Sequence, residues 1–275
     1  MSGASRAAGD RLVVATWNIN SIRARIGLVE QFVAAHAPDV LLIQETRCPD
    51  AQFPRSALDK LGFPHVEVNG RKGHHGVAIA SKRPIADVTR ENLADIDEGR
   101  HISGAIEVAG KPVVLHSLYI PSGGDEPDPE VNPKFRDKLA YLEAFAPWSM
   151  TASAVPSLVG GDFNVAPLPE DVWSHKQLLK VVSHTPQETE RLDAALVAGR
   201  WIDVVRRDIP VPEKVFTWWS YRNRDHTVSN RGRRLDHMWA SPSLADRVGD
   251  IQVPTETRSW EKPSDHVPVL VTITG

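Results

Sequence analysis

The chain has 275 residues, of which 41% are hydrophobic and 24% charged, values typical of a globular protein with a sizeable core. Its net charge of −3, from 32 basic and 35 acidic residues, excludes a protein coated in positive charge. No apolar run approaches the ~18 residues of a membrane span, and a single cysteine, Cys48, excludes an internal disulfide framework and favours a reducing cytoplasm.

The first ten residues are small, polar and charged, with no apolar segment of the kind that a secretory signal requires. They are predicted to form a disordered extension. No internal linker follows, so residues 11–275 are predicted to form a single domain.

Short apolar runs rich in β-branched residues predict strands at 12–15, 40–43, 76–80, 113–119, 157–159, 235–240 and 267–273. Two apolar stripes with helical spacing lie between them, one formed by Ile22, Ile26, Val29 and Val33, the other by Phe135, Leu139 and Leu142. A third helix is predicted after Thr185, because Thr185, Pro186 and Glu188 form a capping-box sequence. Many strands with a few helices between them predict two packed sheets flanked by helices.

The most informative stretch is LVGGDFN at 158–164, where an apolar strand leads into an acid and an amide two residues apart. Because a strand projects alternate side chains to one side, Asp162 and Asn164 are expected to face one reaction centre. Gly160 and Gly161 are expected to let the backbone turn sharply and approach a ligand closely.

Four further polar clusters follow predicted strands, where folds commonly place chemistry. They are Asn18 with Asn20, Glu45, Tyr119, and a carboxy-terminal group of Asp236, Asp265 and His266. Each alone has a structural explanation: Glu45 as partner of a helix N-terminus, Tyr119 as a core residue, His266 as a core histidine. Five such clusters together favour a site.

The residue types in these clusters indicate phosphodiester hydrolysis. Carboxylates and amides without cysteine suit Mg²⁺ or Mn²⁺ rather than structural zinc. Asp236 is placed to orient the imidazole of His266, while Tyr119 and Asn164 are placed to donate to phosphate oxygens.

One segment is locally basic although the net charge of the chain is negative. Between 222 and 236 it contains Arg222, Arg224, Arg231, Arg233 and Arg234, directly after Trp218 and Trp219. A basic patch next to aromatic side chains favours contact with nucleic acid. Trp219 is assigned to the core and Trp218 to ligand contact.

In order and spacing, these motifs resemble the exonuclease III family of apurinic/apyrimidinic endonucleases, within the wider superfamily that includes DNase I. The matching strings are WNIN at 17–20, QET at 44–46, GHHGVAI at 73–79, YIPSG at 119–123, GDFNVAP at 161–167, FTWWSYR at 216–222, RLD at 234–236 and SDH at 264–266. The resemblance implies an α/β fold: a four-layer αββα sandwich of two facing mixed β-sheets flanked by helices, DNase I-like.

The resemblance also implies the site residues. Glu45 would be the principal metal ligand, and the metal-binding set would be Asn18, Glu45, Asp162, Asn164, Asp265 and His266. Asp162 would orient or deprotonate the attacking water, with Asn164 beside it. His266, held by Asp236, and Tyr119 would stabilise the phosphate or the leaving group. DNA would be bound by Arg100, Trp218, Arg222, Arg233, Arg234 and Leu235.

By this resemblance the chain would be an Mg²⁺-dependent DNA repair nuclease, with Mn²⁺ as an alternative metal. It would incise duplex DNA 5′ to abasic sites, with 3′–5′ exonuclease and 3′-end unblocking activity, as a monomer in the bacterial cytoplasm, without a membrane partner. Two positions depart from the family pattern: Arg233 stands where relatives usually have an apolar residue of the abasic-sugar pocket, and Ser220 replaces a common acid.

Two other functions compete with this interpretation. A superfamily enzyme acting on a lipid or inositol phosphate would share the catalytic set, but Trp218 and the arginines favour DNA. A DNA-binding scaffold without catalysis is opposed by the complete set of catalytic residue types.

Overall fold

The structure is a computed structural model that describes residues 11–73, 75–222 and 225–275. The predicted amino-terminal extension at 1–10 lies outside the described residues. So do His74 of the GHHGVAI string and Arg224 of the basic cluster.

Twelve strands occur in the described part of the chain. They are β1 (Arg11–Asn18), β2 (Val40–Gln44), β3 (His65–Asn69), β4 (Val77–Ser81), β5 (Ala86–Thr89), β6 (His101–Val108), β7 (Lys111–Tyr119), β8 (Ser157–Asp162), β9 (Ile202–Asp203), β10 (Asp236–Ala240), β11 (Val248–Gln252) and β12 (Val269–Thr274). They form two six-stranded mixed sheets, ordered β11-β12-β1-β2-β4-β3 and β5-β6-β7-β8-β10-β9.

The α-helices of the same residues are α1 (Ile26–His36), α2 (Arg55–Lys60), α3 (Pro133–Ala152), α4 (His175–Leu178), α5 (Pro186–Gly199), α6 (Val204–Asp208) and α7 (His226–Ser229). None of these helices is both long enough and apolar enough to cross a bilayer. Thr185 caps α5 with the predicted capping box, since its side chain accepts from the backbone of Glu188.

The apolar side chains form three main layers of core. One cluster lies between the sheets and includes Val14, Leu42, Leu115 and Met238. A second joins the outer face of the first sheet to α1 and α2, and a third joins the outer face of the second sheet to α3 and α5. The predicted four-layer sandwich is therefore confirmed.

Some local predictions need correction. Helix α1 begins at Ile26, not Ile22, because Ile22 lies in a turn whose carbonyl accepts from the Arg25 backbone. Gly160 and Gly161 lie within β8 and do not form a turn. They are needed for close approach: a Cβ at Gly160 would lie 2.8 Å from the Leu42 side chain of the facing sheet, and one at Gly161 would clash with the backbone of Leu118.

Strand pairing brings the polar clusters to one edge of the sandwich. In the second sheet, β7 and β8 are parallel with Tyr119 beside Asp162, and antiparallel β10 places Asp236 on the other side of Asp162. In the first sheet, β1 and β2 are parallel, so Asn18 lies beside Gln44 and next to Glu45. Side chains separated by more than 140 residues thereby face the same space.

Candidate active site

Three side chains from the two sheets meet at the centre of this edge. The side-chain amide of Asn18 donates to Oε1 of Glu45 at 3.0 Å and to Oδ2 of Asp162 at 2.9 Å. Asn18 is fully buried and Asp162 nearly so. A single amide thus links the carboxylates of the first and second sheets.

Glu45 has a backbone φ of +51°, which turns its carboxylate out of β2 toward the second sheet. Its Oε1 also accepts a hydrogen bond from the Tyr119 hydroxyl at 3.0 Å. Burial, with the charges of Glu45 and Asp162, raises the pKa of Tyr119 well above its ordinary value. The Tyr119 hydroxyl therefore stays protonated and serves as a donor.

Asp236 and His266 form the predicted pair, with His266 Nδ1 2.8 Å from Oδ2 of Asp236. His266 Nε2 lies 3.6 Å from Oδ2 of Asp162. Burial opposes the imidazolium, but the Asp236 and Asp162 carboxylates outweigh it and raise the pKa of His266. Conversely, burial raises the pKa of Asp162, although the charge of His266 opposes the shift. The site thus holds a buried carboxylate–imidazole–carboxylate line.

Asn164 is held in a left-handed conformation, with a φ of +53°. Its side-chain amide donates to the carbonyl of Ile120 at 2.9 Å and to Oδ2 of Asp162 at 3.1 Å, while its backbone N–H donates to Oδ1 of Asp162 at 2.9 Å. Asp162 and Asn164 therefore act as one rigid unit.

Asp265 lies to one side of this centre. Its carboxylate accepts from the Asn20 side chain and from the indole of Trp218, each at 3.0 Å. Burial opposes ionisation of Asp265, yet His266 and these two donors outweigh it and lower its pKa. Asp265 thus stays charged and orients Trp218.

One cavity of about 930 Å³ opens over these groups. Among the predicted catalytic and metal-binding residues, its walls include Glu45, Tyr119, Asp162, Asn164, Asp265 and His266; Asn18 and Asp236 support them from below. Of the predicted DNA-binding residues, Arg100, Trp218, Arg222, Arg233 and Leu235 also line it.

Arg234 does not belong with the DNA-binding residues. It is fully buried and donates to both oxygens of Asp171, at 2.6 and 3.0 Å, and to Asp203 at 2.7 Å. Its guanidinium connects three segments inside the protein, so the prediction that Arg234 contacts DNA is wrong. Trp219 is buried, as predicted.

Two residues of the site were missed from the sequence. Arg47 donates to Oε2 of Glu45 at 2.8 Å, and nothing in its sequence context indicates this contact. Lys138 is fully buried on α3 and donates to the carbonyl of Asn164 at 2.7 Å. The spacing along α3 could have indicated the burial of Lys138, because Lys138 falls on the same apolar stripe as Phe135, Leu139 and Leu142.

The donor set fits a divalent cation that prefers oxygen. Glu45 and Asp162 present carboxylate oxygens to one amide, and Oδ1 of Asp236 is buried without a hydrogen-bond partner among the described residues. Ligand atoms of Asp162, Asp236 and His266 also lie within 4.8 Å of one another. Within that group His266 Nδ1 is already bound to Asp236, which leaves Nε2 of His266 and the carboxylate oxygens as possible ligand atoms.

A carboxylate–histidine site at the shared edge of two facing sheets defines the DNase I-like class of phosphoester hydrolases. Within that class, residues 15–266 match the Endonuclease/Exonuclease/phosphatase family, and the chain belongs to this family.

The similarity to individual relatives extends over nearly the whole chain. Exodeoxyribonuclease III of Haemophilus influenzae is 30% identical over 262 residues, which cover 92% of this chain and 97% of that protein. The structure of an AP endonuclease from Archaeoglobus fulgidus superposes with a TM-score of 0.85 at 32% identity, covering 95% of this chain and 99% of that chain. A 3′ phosphatase from Neisseria bound to product DNA hairpin gives a TM-score of 0.86 at 28% identity, with 96% and 100% covered.

Proposed function

We propose that this protein is a metal-dependent DNA repair phosphodiesterase that incises duplex DNA 5′ to abasic sites and trims or unblocks 3′ ends. The observation that carries the proposal is the convergence of Glu45, Asp162 and the Asp236–His266 pair in one cavity. The relatives support the DNA substrate, since they are an exodeoxyribonuclease, an AP endonuclease and a 3′ phosphatase.

In this proposal Mg²⁺, with Mn²⁺ as a substitute, is held by Glu45 and Asp162, with Asn18 and Asp265 in support. The cation supplies Lewis-acid polarisation of the scissile phosphate. The protein would act in the bacterial cytoplasm as a monomer.

Asp162 is the group best placed to orient the attacking water and take its proton. Both of its oxygens are fixed by donors, Oδ1 by the Asn164 backbone and Oδ2 by the amides of Asn18 and Asn164. A base held in one orientation loses little entropy on reaching the transition state. His266, kept charged by Asp236, lies on the other side of Asp162 and would stabilise negative charge on the phosphate.

Tyr119 and Asn164 supply neutral donors at the same cavity wall. The Tyr119 hydroxyl points at Glu45, and the guanidinium of Arg100 lies 5.0 Å from its ring centre. To contact phosphate oxygens, the Tyr119 hydroxyl would exchange its bond to Glu45 for one near the leaving group, and the Asn164 amide would exchange its bond to the Ile120 carbonyl.

Trp218 and Leu235 would form the apolar wall of the pocket that accepts an extrahelical sugar, and both line the cavity. Arg233, whose guanidinium lies 5.2 Å from the Trp218 ring centre, makes part of that wall cationic. Trp218→Ala is expected to slow abasic-site cleavage more than it weakens binding of the metal. An unchanged cleavage rate would argue against this pocket.

The direct test uses a labelled duplex with one central abasic-site analogue beside an intact duplex, with Mg²⁺ and then with EDTA. Incision 5′ to the lesion that needs the metal supports the repair endonuclease. Degradation of both duplexes from their 3′ ends would make exonuclease the main activity. No cleavage of either duplex would contradict the proposal and favour an enzyme of lipid or inositol phosphates.

A further inference from the structure

A second cavity, of about 360 Å³, lies beside the catalytic cavity. The two cavities share Trp218, Ser220, Arg222 and Arg233, so the second continues directly from the first. Its own walls include Trp173 and Arg231. Its volume lies within the range of ligand-binding pockets.

Backbone pairing holds these walls in place. Arg233 forms β-bridges with both Val172 and Trp218, and the Trp173 backbone N–H donates to the carbonyl of Gly232 at 3.1 Å. Gly232 is required here, because a Cβ at this position would lie 2.7 Å from the Phe216 ring. The two tryptophans are therefore carried on segments joined through one rigid strand-like stretch.

Each tryptophan is paired with an arginine. The guanidinium of Arg231 lies 4.8 Å from the Trp173 ring centre, and that of Arg233 lies 5.2 Å from that of Trp218. Arg233 is anchored by hydrogen bonds from Nη1 to the Val182 carbonyl and Ser183 hydroxyl, at 3.0 and 2.7 Å. Among the described residues neither guanidinium forms an ion pair, and the carboxylate whose charge acts on Arg233, that of Glu188, is itself paired with Lys138. Their charges are available to an anionic ligand.

The charge of this cavity contrasts with that of its neighbour. Six acidic side chains and five lysines or arginines line the catalytic cavity, whereas three arginines and no acid of the described residues line the second one. Aromatic faces together with unpaired arginines bind single-stranded nucleic acid. Its bases stack on the indole or guanidinium planes, and its phosphates pair with the positive charge of the arginines. In a paired duplex the faces of the bases are covered by neighbouring base pairs, so they could not stack on the side chains of this cavity.

We propose that this second cavity, the Trp173–Arg231 subsite, binds an unpaired nucleotide adjacent to the scissile phosphate. The proposal rests on the proposed function for the DNA substrate and goes beyond it by assigning a separate subsite for a base. A frayed or mismatched nucleotide next to the cut would stack at Trp173, with Arg231 and Arg222 near its phosphate. Substrates with an unpaired base there should bind more tightly than fully paired ones.

The test measures binding without cleavage. A DNA hairpin carries 2-aminopurine as an unpaired 3′-terminal base, and its fluorescence is titrated with protein in EDTA. Wild type is expected to quench the fluorescence through stacking. Trp173→Leu, which keeps apolar volume but removes the ring, should weaken binding about 5- to 100-fold, whereas Trp173→Phe should restore most of it. Arg231→Gln should weaken binding, and Arg191→Gln, a charge-matched control on α5, should not.

The outcomes separate the subsite from the proposed function. If Trp173→Leu is folded by circular dichroism and binds and quenches like wild type, the subsite proposal is overturned, whatever the cleavage rate. If Trp173→Leu weakens binding equally for hairpins with and without a terminal base, the cavity does not contact the base and the proposal is again overturned. If wild type quenches as expected but cleaves no duplex, the subsite stands and the proposed nuclease function fails.

Discussion

Asp162 is the residue on which most of the interactions in the site converge. It accepts hydrogen bonds from Asn18 and from two groups of Asn164, and it faces His266. In the proposed mechanism this carboxylate, oriented by neutral donors and adjacent to His266, would accept the proton of the attacking water without rearrangement of its neighbours.

Asp162→Asn tests this role. The amide can keep the hydrogen bond from the Asn164 backbone, but it cannot take a proton from water. Turnover on abasic duplex is expected to fall about 10²- to 10⁴-fold, with DNA affinity changed little. Single-turnover cleavage and fluorescence anisotropy in EDTA measure the two quantities separately. A variant that cleaves at the wild-type rate would remove Asp162 from the catalytic residues.

At the scale of elements, helices α3 and α5 are joined by an ion pair that also supports the site. Lys138 and Glu188 are both fully buried and contact each other. Lys138 also donates to the Asn164 carbonyl, while Glu188 accepts from the backbones of Ser183 and Thr185, at 2.9 and 3.1 Å. The pair therefore links the start of α5 to the loop that carries Asn164.

Lys138→Met is expected to lower the free energy of unfolding by about 3–5 kcal/mol, because it leaves the Glu188 carboxylate buried without its cation. A Lys138→Met/Glu188→Gln double variant should recover part of the loss. Lys134→Met, exposed one turn earlier on α3, is the matched control. Urea denaturation measures all three, and a Lys138→Met variant as stable as Lys134→Met would contradict the prediction.

Strands β6 and β7 carry a second buried polar pair, His101 and His116. His101 Nε2 lies 3.1 Å from His116 Nδ1, and Trp148 packs edge-on against both rings. Burial lowers the pKa of His101 to about 3 and that of His116 well below its ordinary value, the latter with help from His101. Both rings are neutral in the folded protein.

This pair predicts a loss of stability in acid. Below about pH 6.5 the unfolded chain takes up protons that the folded chain cannot, so stability falls as the pH drops from about 6.5 toward 3. For His101 alone, the loss at pH 5 is about 2 kcal/mol. Urea denaturation at pH 7 and pH 5 checks this. A His101→Asn/His116→Gln variant should show a smaller difference between the two pH values; an equal difference would refute the prediction.

At the scale of the whole molecule, the charge is unevenly distributed. The net charge is −3, yet the surface next to the site carries Arg222, Arg231 and Arg233. Affinity for DNA should therefore come from a few local phosphate contacts and not from the overall field.

Arg222 is exposed at the junction of the two cavities. If it binds a phosphate, Arg222→Gln should reduce the slope of log affinity against log salt by about one. Anisotropy with abasic duplex in EDTA, between about 50 and 200 mM salt, measures this. Arg191→Gln, where the arginine pairs with Glu143 on α3, should leave the slope unchanged. Equal slopes for wild type and Arg222→Gln would exclude the phosphate contact.

The elements differed in how well the sequence predicted them. The strands at 40–43 and 113–119 and the cap at Thr185 agree with β2, β7 and α5, because apolar runs and capping boxes act locally. Strand β6 was missed, since buried His101, Ser103 and Gly104 interrupt its apolar pattern. The side chains of His101 and Ser103 bond to neighbouring strands and to the Glu91 backbone, and a local sequence pattern cannot predict contacts with such distant segments.

Residue identity was enough to predict the family and the sandwich, because the order and spacing of the motifs are properties of the sequence, and it predicted polar clusters at strand ends, because alternation along a strand is local. Tertiary structure alone decided which charges serve the site. Arg234 and Arg233 are adjacent in the chain, yet one is buried against Asp171 and the other faces a cavity. Lys138 lies beneath Asn164 for the same reason: contacts between distant segments determine whether a charge meets solvent, a ligand or an opposite charge.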